Sequence, residues 1–374
     1  MSTLPSSESI AAAWLHEGRR VVGATLVERI GSAPLDPGAQ MLVDEQGNIE
    51  GSVTGGCVEG ALFEEAQRIL GGEAPRVVTY GVSDEEAAGV GLMCGGTVRV
   101  FVHEQAQGSL DALDAVARAR EAGEPAALAT LLDGEGAGAK MAILDDGAVG
   151  SLGVTDLLDR SVERDAHGQL DEGLSRVRRY GAGGEVMGAE LAVYIQAFST
   201  QPRMVIFGAI DFSAEMAKLA SEVGYSVTIC DARGPFVNSP RFSQAAEVVV
   251  DWPDRYLLGQ ELGARDVVLV FTHDAKFDEP ALIATLATDA GYVGALGSRR
   301  TQERRVERLR EAGLDEQSIE RIHAPCGLDV GARTPVETAV SILAEVIAVR
   351  TGRGGESLRD TSGPIHPDGA TAHS

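Results

Sequence analysis

From residue 203 to residue 349, short apolar runs alternate with longer amphipathic stretches, and no other feature of the chain narrows its fold as much. Runs at 203–208, 225–231, 247–251, 266–273, 292–297 and 323–328 read as strands, most of them closed by glycine or polar residues. Helical spacing of apolar residues marks 213–223, 280–290, 301–313 and 334–349. Parallel strands need a crossover helix to return the chain, so this alternation predicts a doubly wound parallel sheet. The expected class is α/β, with a Rossmann-like domain in the C-terminal half.

The first half does not alternate in that way. A helix is expected near 9–17 and a strand at 21–30. Residues 41–44 and 49–53 read as a hairpin with Gly47-Asn48 at its tip. Next come a helix at 57–70, strands at 76–80 and 97–103, a helix at 110–122 and strands at 126–132 and 140–144. A helix and a loop are expected across 155–188, and a last strand at 190–199. An N-terminal mixed α+β domain is therefore placed at 1–200 and the Rossmann-like domain at 201–351. The Gly-, Ser-, Pro- and Asp-rich tail at 352–374 is expected to be disordered. Met41-Leu-Val-Asp44 with Gly47 and Gly51-Ser52 is echoed by Met141-Ala-Ile-Leu-Asp145 with Gly147 and Gly150-Ser151. A duplicated hairpin and two copies of a common turn chemistry both account for the echo.

The formal charge of −24 sets the chain against nucleic acid, whose phosphates it repels. No apolar run is long enough to span a bilayer, and the first arginines follow the early apolar run, the reverse of a secretory signal. The expected location is the cytoplasm. The four cysteines at 57, 94, 230 and 326 lack metal-finger spacing and read as thiols in a reducing compartment.

One stretch stands out chemically. In Gly51-Ser-Val-Thr-Gly-Gly-Cys-Val-Glu-Gly60, Gly55 and Gly56 allow a sharp turn, and Cys57 follows at the expected start of a helix. A thiol there feels the positive end of the helix dipole, and a glycine turn feeding a helix offers unpaired N–H groups to an anion. The plainer reading is a small buried cysteine in a tight turn. A second glycine-rich turn, 89–96, carries Cys94, Gly95 and Gly96.

In the C-terminal half, Asp231 lies 23 residues after Gly208, where a ribose-binding acid is expected. The glycine fingerprint is broken, however. Ile210 stands where backbone must approach a pyrophosphate, and Asp211, read as a helix cap, adds negative charge. NAD(P) is thus disfavoured. Other polar residues fall at the carboxyl ends of predicted strands, the edge at which open α/β sheets bind ligands. These are Asp231 and Arg233; Thr272, His273 and Asp274; and Gly297, Ser298, Arg299 and Arg300. Gly297-Ser298 before an arginine-rich helix reads as an anion cradle, or as a solvated face paired with Glu303 and Glu307. His273 is the candidate general acid–base, its imidazole titrating near neutral pH.

Together these motifs resemble the XdhC/CoxI family, accessory proteins of xanthine dehydrogenase and related molybdenum hydroxylases. Gly31-Ser-Ala-Pro with Pro37-Gly38, Gly55-Gly-Cys-Val-Glu-Gly60 and Gly91-Leu-Met-Cys-Gly-Gly96 resemble its N-terminal half. Thr272-His-Asp with Lys276 and Asp278, residues 292–301, 324–331, 334–337 and 342–345 resemble its C-terminal half. The resemblance implies a chaperone that binds the molybdenum cofactor (molybdopterin), protects it during sulfuration by a cysteine desulfurase, and inserts it into a xanthine dehydrogenase or CO dehydrogenase-like apo-enzyme. It also implies Cys57 and Cys94 as thiols near the metal, with turns 55–57 and 94–96 converging. A homodimer is the expected assembly. Three positions depart from the family pattern: Gly208-Ala-Ile-Asp211 replaces Gly-Ala-Gly-His, Leu35 replaces an arginine after Pro34, and Cys326 reads as a core substitution.

The expected role is that of an accessory factor more than a turnover enzyme. The alternatives are an NAD(P)-dependent oxidoreductase using the Rossmann-like domain, and a scaffold that bridges partner proteins through its acidic surface.

Overall fold

The structure, a computed structural model, describes residues 5–31, 34–81, 96–272 and 274–362. The chain forms two compact units that divide between Thr200 and Gln201.

Unit 1 opens with α1 (Ser7–His16), then runs β1 (Val21–Ile30), β2 (Gln40–Asp44), β3 (Ile49–Gly51), α2 (Glu59–Leu70), β4 (Arg76–Tyr80) and β5 (Thr97–Glu104). After α3 (Leu110–Ala122) the series returns as β6 (Ala126–Leu131), β7 (Lys140–Leu144), β8 (Gly147–Gly150), α4 (Asp156–Glu172), β9 (Arg176–Tyr180) and β10 (Leu191–Phe198). The two antiparallel sheets have matching orders, β3-β2-β1-β5-β4 and β8-β7-β6-β10-β9. Registers match as well. Thr25 stands opposite Gln40 and Phe101, as Thr130 stands opposite Lys140 and Tyr194. The hairpin echo is thus part of a duplicated ββ-β-α-ββ unit and not a coincidence of turn chemistry. The repeat extends to Gly38-Ala-Gln-Met41 against Gly138-Ala-Lys-Met141, and to Arg76-Val-Val-Thr-Tyr80 against Arg176-Val-Arg-Arg-Tyr180.

Each repeat packs its helix on one face of its sheet. Val58, Leu62, Ala66 and Ile69 meet Val22, Ala24, Val98 and Val100 in the first core. Leu158, Val162, Ala166 and Leu170 meet Ala127, Ala129, Val193 and Ile195 in the second. The other faces meet across Val27, Phe101, Leu132, Ala192 and Tyr194. Covered on both sides, β1 is buried from Val21 through Val27, which is why it reads as a continuous apolar run. The α4 helix lies within the helix-and-loop region expected at 155–188, but β9 falls where a loop was expected. Its three arginines hide the strand pattern, and Arg178 and Tyr180 both turn to Asp165 on α4, at 3.2 and 2.9 Å. Charged side chains on an edge strand also discourage pairing with other chains.

Unit 2 contains β11 (Arg203–Phe207), α5 (Asp211–Glu222), β12 (Ser226–Cys230), α6 (Gly234–Val237), β13 (Glu247–Val249), α7 (Pro253–Leu257), β14 (Val267–Val270), α8 (Ala275–Leu286), β15 (Tyr292–Ala295), α9 (Arg299–Glu311), α10 (Glu316–Glu320), β16 (Ile322–His323) and α11 (Pro335–Thr351). Its six strands are parallel in the order β13-β12-β11-β14-β15-β16, the doubly wound order of dinucleotide-binding folds. Helices α5 and α11 cover one face around Ile206, Ile229 and Leu269; α8 and α9 cover the other around Phe207, Val268 and Val270. The last helix starts with a capping box, Thr334 and Glu337 exchanging hydrogen bonds, and ends at Gly352 in the left-handed conformation. Within the expected tail, residues 352–362 hold one 3₁₀ turn, Leu358–Asp360; the remainder lies outside the described residues.

Candidate functional site

In unit 1 the glycine turn is organised by a carboxylate of its own. The α2 helix starts at Glu59 with Val58 as its cap, so Cys57 stands just ahead of the helix and not within its first turn. Glu59 Oε1 accepts from Ser52 Oγ (2.5 Å), Val53 N (3.1 Å) and Thr54 N (2.8 Å). Its Oε2 accepts from Thr54 Oγ1 (2.9 Å), Gly56 N (2.8 Å) and Val58 N (3.2 Å). Gly55 N–H goes to Ser52 Oγ at 2.8 Å. The amides of Val53, Thr54, Gly56 and Val58 are thus taken by Glu59 and that of Gly55 by Ser52, so these five are not free for an external anion. Burial alone would raise the Glu59 carboxyl, but the hydrogen bonds from Ser52 and Thr54 prevail and hold it at about 2.

What remains outward is the tip. Gly55 and Gly56 adopt φ of +75° and +122°, and a Cβ on either would meet nothing within 4 Å. They are needed for backbone conformation and not for close packing. Cys57 follows them, a free half-buried thiol resting against the first core. The matching loop of the second repeat, Gly150-Ser-Leu-Gly-Val-Thr-Asp-Leu157, has an exposed leucine in place of the thiol. Gly96 is buried directly before β5, 3.7 Å from the position a Cβ on Gly31 would take. Cys94 and Gly95 lie outside the described residues, as does His273. Among the described residues no cluster of three or more His, Cys, Asp or Glu is placed to hold a metal ion.

In unit 2 the predicted residues share one sheet edge. Phe207 pairs with Cys230 and Val270, and Val270 with Ala295, so Gly208, Asp231, Thr272 and Gly297 all follow the carboxyl ends of neighbouring strands. Gly208, at φ +114°, leaves no room for a side chain: a Cβ would stand 3.1 Å from Thr272 Cγ2 and 3.2 Å from the Phe271 carbonyl carbon.

Asp231 is buried, and its oxygens are committed. Oδ2 accepts from Ala209 N (2.8 Å) and Arg233 Nη2 (2.7 Å); Oδ1 accepts from Arg233 N and Nε, both at 2.9 Å. Against the opposing effect of burial, Arg233 keeps this carboxyl below its ordinary range. Four donors fill the lone pairs that a ribose diol would use. Asp211 is the first residue of α5 and not its cap, which is Ile210; its carboxylate takes Arg241 Nη1 at 2.5 Å. The Arg233 guanidinium also lies over Phe236, 4.4 Å from the ring centre.

Ser298 caps α9 by accepting from Thr301 N at 3.1 Å, while Arg299 and Arg300 stand exposed in its first turn. Arg305, on the same helix, is fully buried. It donates to Asp278 Oδ2 (3.0 Å), Leu296 O (2.9 Å) and Gln302 Oε1 (2.9 Å), and Asp278 in turn accepts from Thr272 Oγ1. This Thr272–Asp278–Arg305 link was not legible, because the arginine repeat of α9 looks uniformly solvated.

Residues 204–346 match the profile of the XdhC Rossmann domain, and residues 14–81 and 119–181 match that of the XdhC and CoxI family, one stretch in each repeat. A probable xanthine dehydrogenase subunit from Bacillus subtilis is 25% identical over 342 residues, covering 90% of this chain and 96% of that one. The molybdenum cofactor insertion chaperone PaoD of Escherichia coli is 28% identical over 336 residues, covering 90% and 85%. The crystal structure of a xanthine dehydrogenase from Bacillus halodurans is similar with a TM-score of 0.61, at 25% identity, covering 94% of this chain and 98% of that one. No helix among the described residues is long and apolar enough to cross a membrane.

Proposed function

Because this chain belongs to the XdhC and CoxI family, we propose that it is a cytoplasmic maturation factor that binds the molybdenum cofactor and inserts it into a molybdenum hydroxylase apo-enzyme. The observation that carries the reading is the Cys57 loop, a half-buried thiol behind two open glycines on a turn that Glu59 holds rigid. A soft thiolate suits molybdenum, which is the cargo here and not a resident metal. The rigid turn lowers the entropy cost of presenting that thiol. Unit 2, taken by itself, offers Gly297 and Ser298 with the exposed Arg299 and Arg300 at the N-terminus of α9, which suit an anionic group. Protection of the cofactor during sulfuration, a cysteine desulfurase partner, a CO dehydrogenase-like target and a homodimer belong to the same proposal, with Cys94 as the second thiol.

The NAD(P)-dependent alternative is opposed by the committed carboxylate of Asp231 and by Ile210 in the phosphate turn. The test is co-expression with a complete cofactor pathway, followed by molybdenum and oxidised-pterin fluorescence per purified chain. Near-stoichiometric pterin in the wild type and its loss in Cys57→Ala is the expected result. No pterin in either protein would remove stable cofactor carriage, and an NAD(P) titration would then decide the alternative.

A further inference from the structure

The faces by which the two repeats of unit 1 meet are not wholly apolar. Lys140, the first residue of β7, is 4% exposed, and its Nζ makes one hydrogen bond among the described residues, to Thr130 Oγ1 at 2.9 Å. An ammonium has three donors, so two are left without a partner there. Among the described residues no carboxylate pairs with it. Glu8, whose charge is felt at Lys140, is held by Arg120. Burial lowers the lysine to about 8, with Glu8 opposing.

Lys140 borders an internal cavity of about 10 Å³ that also touches Thr25, Gln40, Thr130, Tyr194 and Gln196. The Tyr194 hydroxyl is buried, with Ser175 as its polar side-chain neighbour, and Ser175 Oγ accepts from the Ala197 N–H at 3.0 Å. A space of this size takes one water or one monatomic ion and excludes carboxylate, phosphate and sulfate.

The duplication shows which of these groups the fold itself requires. Thr25 matches Thr130, and Gln40 bonds Thr25 at 2.9 Å as Lys140 bonds Thr130 at 2.9 Å. Phe101 matches Tyr194. A neutral amide and a plain ring therefore satisfy the packing in the first repeat, while the second repeat supplies a cation and a hydroxyl at the equivalent places. Both additions carry a hydrogen-bond donor, and both border the same small space.

We propose that this cavity is a binding site for a single small monovalent anion of halide size, held by the Lys140 ammonium and the Tyr194 hydroxyl. A water molecule satisfies the donors but leaves the buried charge uncompensated, whereas a halide does both. Gln196 lines both this cavity and a surface cleft of about 590 Å³ bordered by Glu8 and Arg120.

The test uses the full chain. Its thermal midpoint is followed against sodium bromide at constant ionic strength, with sodium gluconate as the balancing salt. The wild type is expected to show a saturable rise. Lys140→Gln copies Gln40 of the other repeat and is expected to fold and to weaken the apparent affinity about tenfold or more. Tyr194→Phe copies Phe101 and is expected to weaken it by a smaller factor. Crystals grown in bromide are expected to show one anomalous peak beside Lys140 Nζ. A bromide response that is absent in the wild type, or equal in all three proteins, would overturn the proposal. So would an ordered water without anomalous signal in the cavity.

Discussion

Glu59 and Asp159 hold the same place in the two repeats of unit 1, each 3.1 Å from a buried loop amide, Val53 N for Glu59 and Leu152 N for Asp159. The shared carboxylate pins the turn that follows the third strand of each repeat. The first repeat adds to this the Gly-Gly-Cys tip, and Glu59 there gathers further donors from Ser52, Thr54, Gly56 and Val58.

Glu59→Gln is expected to destabilise unit 1 by about 2–4 kcal/mol, because an amide cannot accept at every position the carboxylate serves. The pH dependence has a definite sign. The folded carboxyl, held at about 2 against an ordinary 4.5, contributes its full stability above pH 4.5 and loses it as pH falls toward 2. Urea unfolding of both proteins at pH 7 and in acid measures this, and the gap between them is expected to narrow in acid.

Cys57 is expected to be alkylated well before Cys230 and Cys326 under native conditions. Burial pushes both of those thiols up to about 12 and keeps reagent away from them, whereas Cys57 is half-buried at an open tip. Peptide mass spectrometry after a short iodoacetamide pulse, in a Cys94→Ser background, reads the order directly. Equal labelling of all three would contradict the loop geometry.

The fold was largely legible because its strongest signals are periodic and local. β1, β4, α3 and β7 start and end where their apolar patterns do. What escaped depends on partners distant in sequence or on charge. β9 was hidden by arginines that are satisfied by Asp165 on α4. At the candidate sites, spacing singles out Gly55, Cys57, Gly208 and Asp231 but does not show which hydrogen bonds are already taken. Glu59 fills the first turn from within, and Arg233 fills Asp231 from two residues away. Arg305 looked like one more surface arginine of α9, yet it is the one facing inward.

Arg305→Met is expected to cost about 3–5 kcal/mol, because it leaves Asp278 as a buried carboxylate without its cation. Pairing it with Asp278→Leu is expected to recover much of that loss. The double-mutant cycle in urea measures the coupling, and additive single effects would contradict a direct ion pair.

In halide-free buffer the wild type is expected to gain stability as pH rises from about 8 toward 10.5. Burial first of all, against a smaller opposing effect of Glu8, holds folded Lys140 at about 8, below its ordinary 10.5. The unfolded chain therefore binds the extra proton across that window. Lys140→Gln lacks this rise, and the difference between the two proteins is at most about 3 kcal/mol. Chemical denaturation at half-unit steps between pH 7.5 and 10.5 checks it.

An assembly of two identical chains must accept every substitution twice. A lysine introduced at a face shared by such copies would meet its own image, and two ammonium groups would repel across a space of about 10 Å³. Joined in one polypeptide, the copies escape that constraint. Gln40 stays neutral while Lys140 carries charge, and Leu157 stands where the other half has Cys57. Carrying both repeats in one chain thus gives this unit a freedom that symmetry withholds, the ability to place one charge, and one thiol, on one side only.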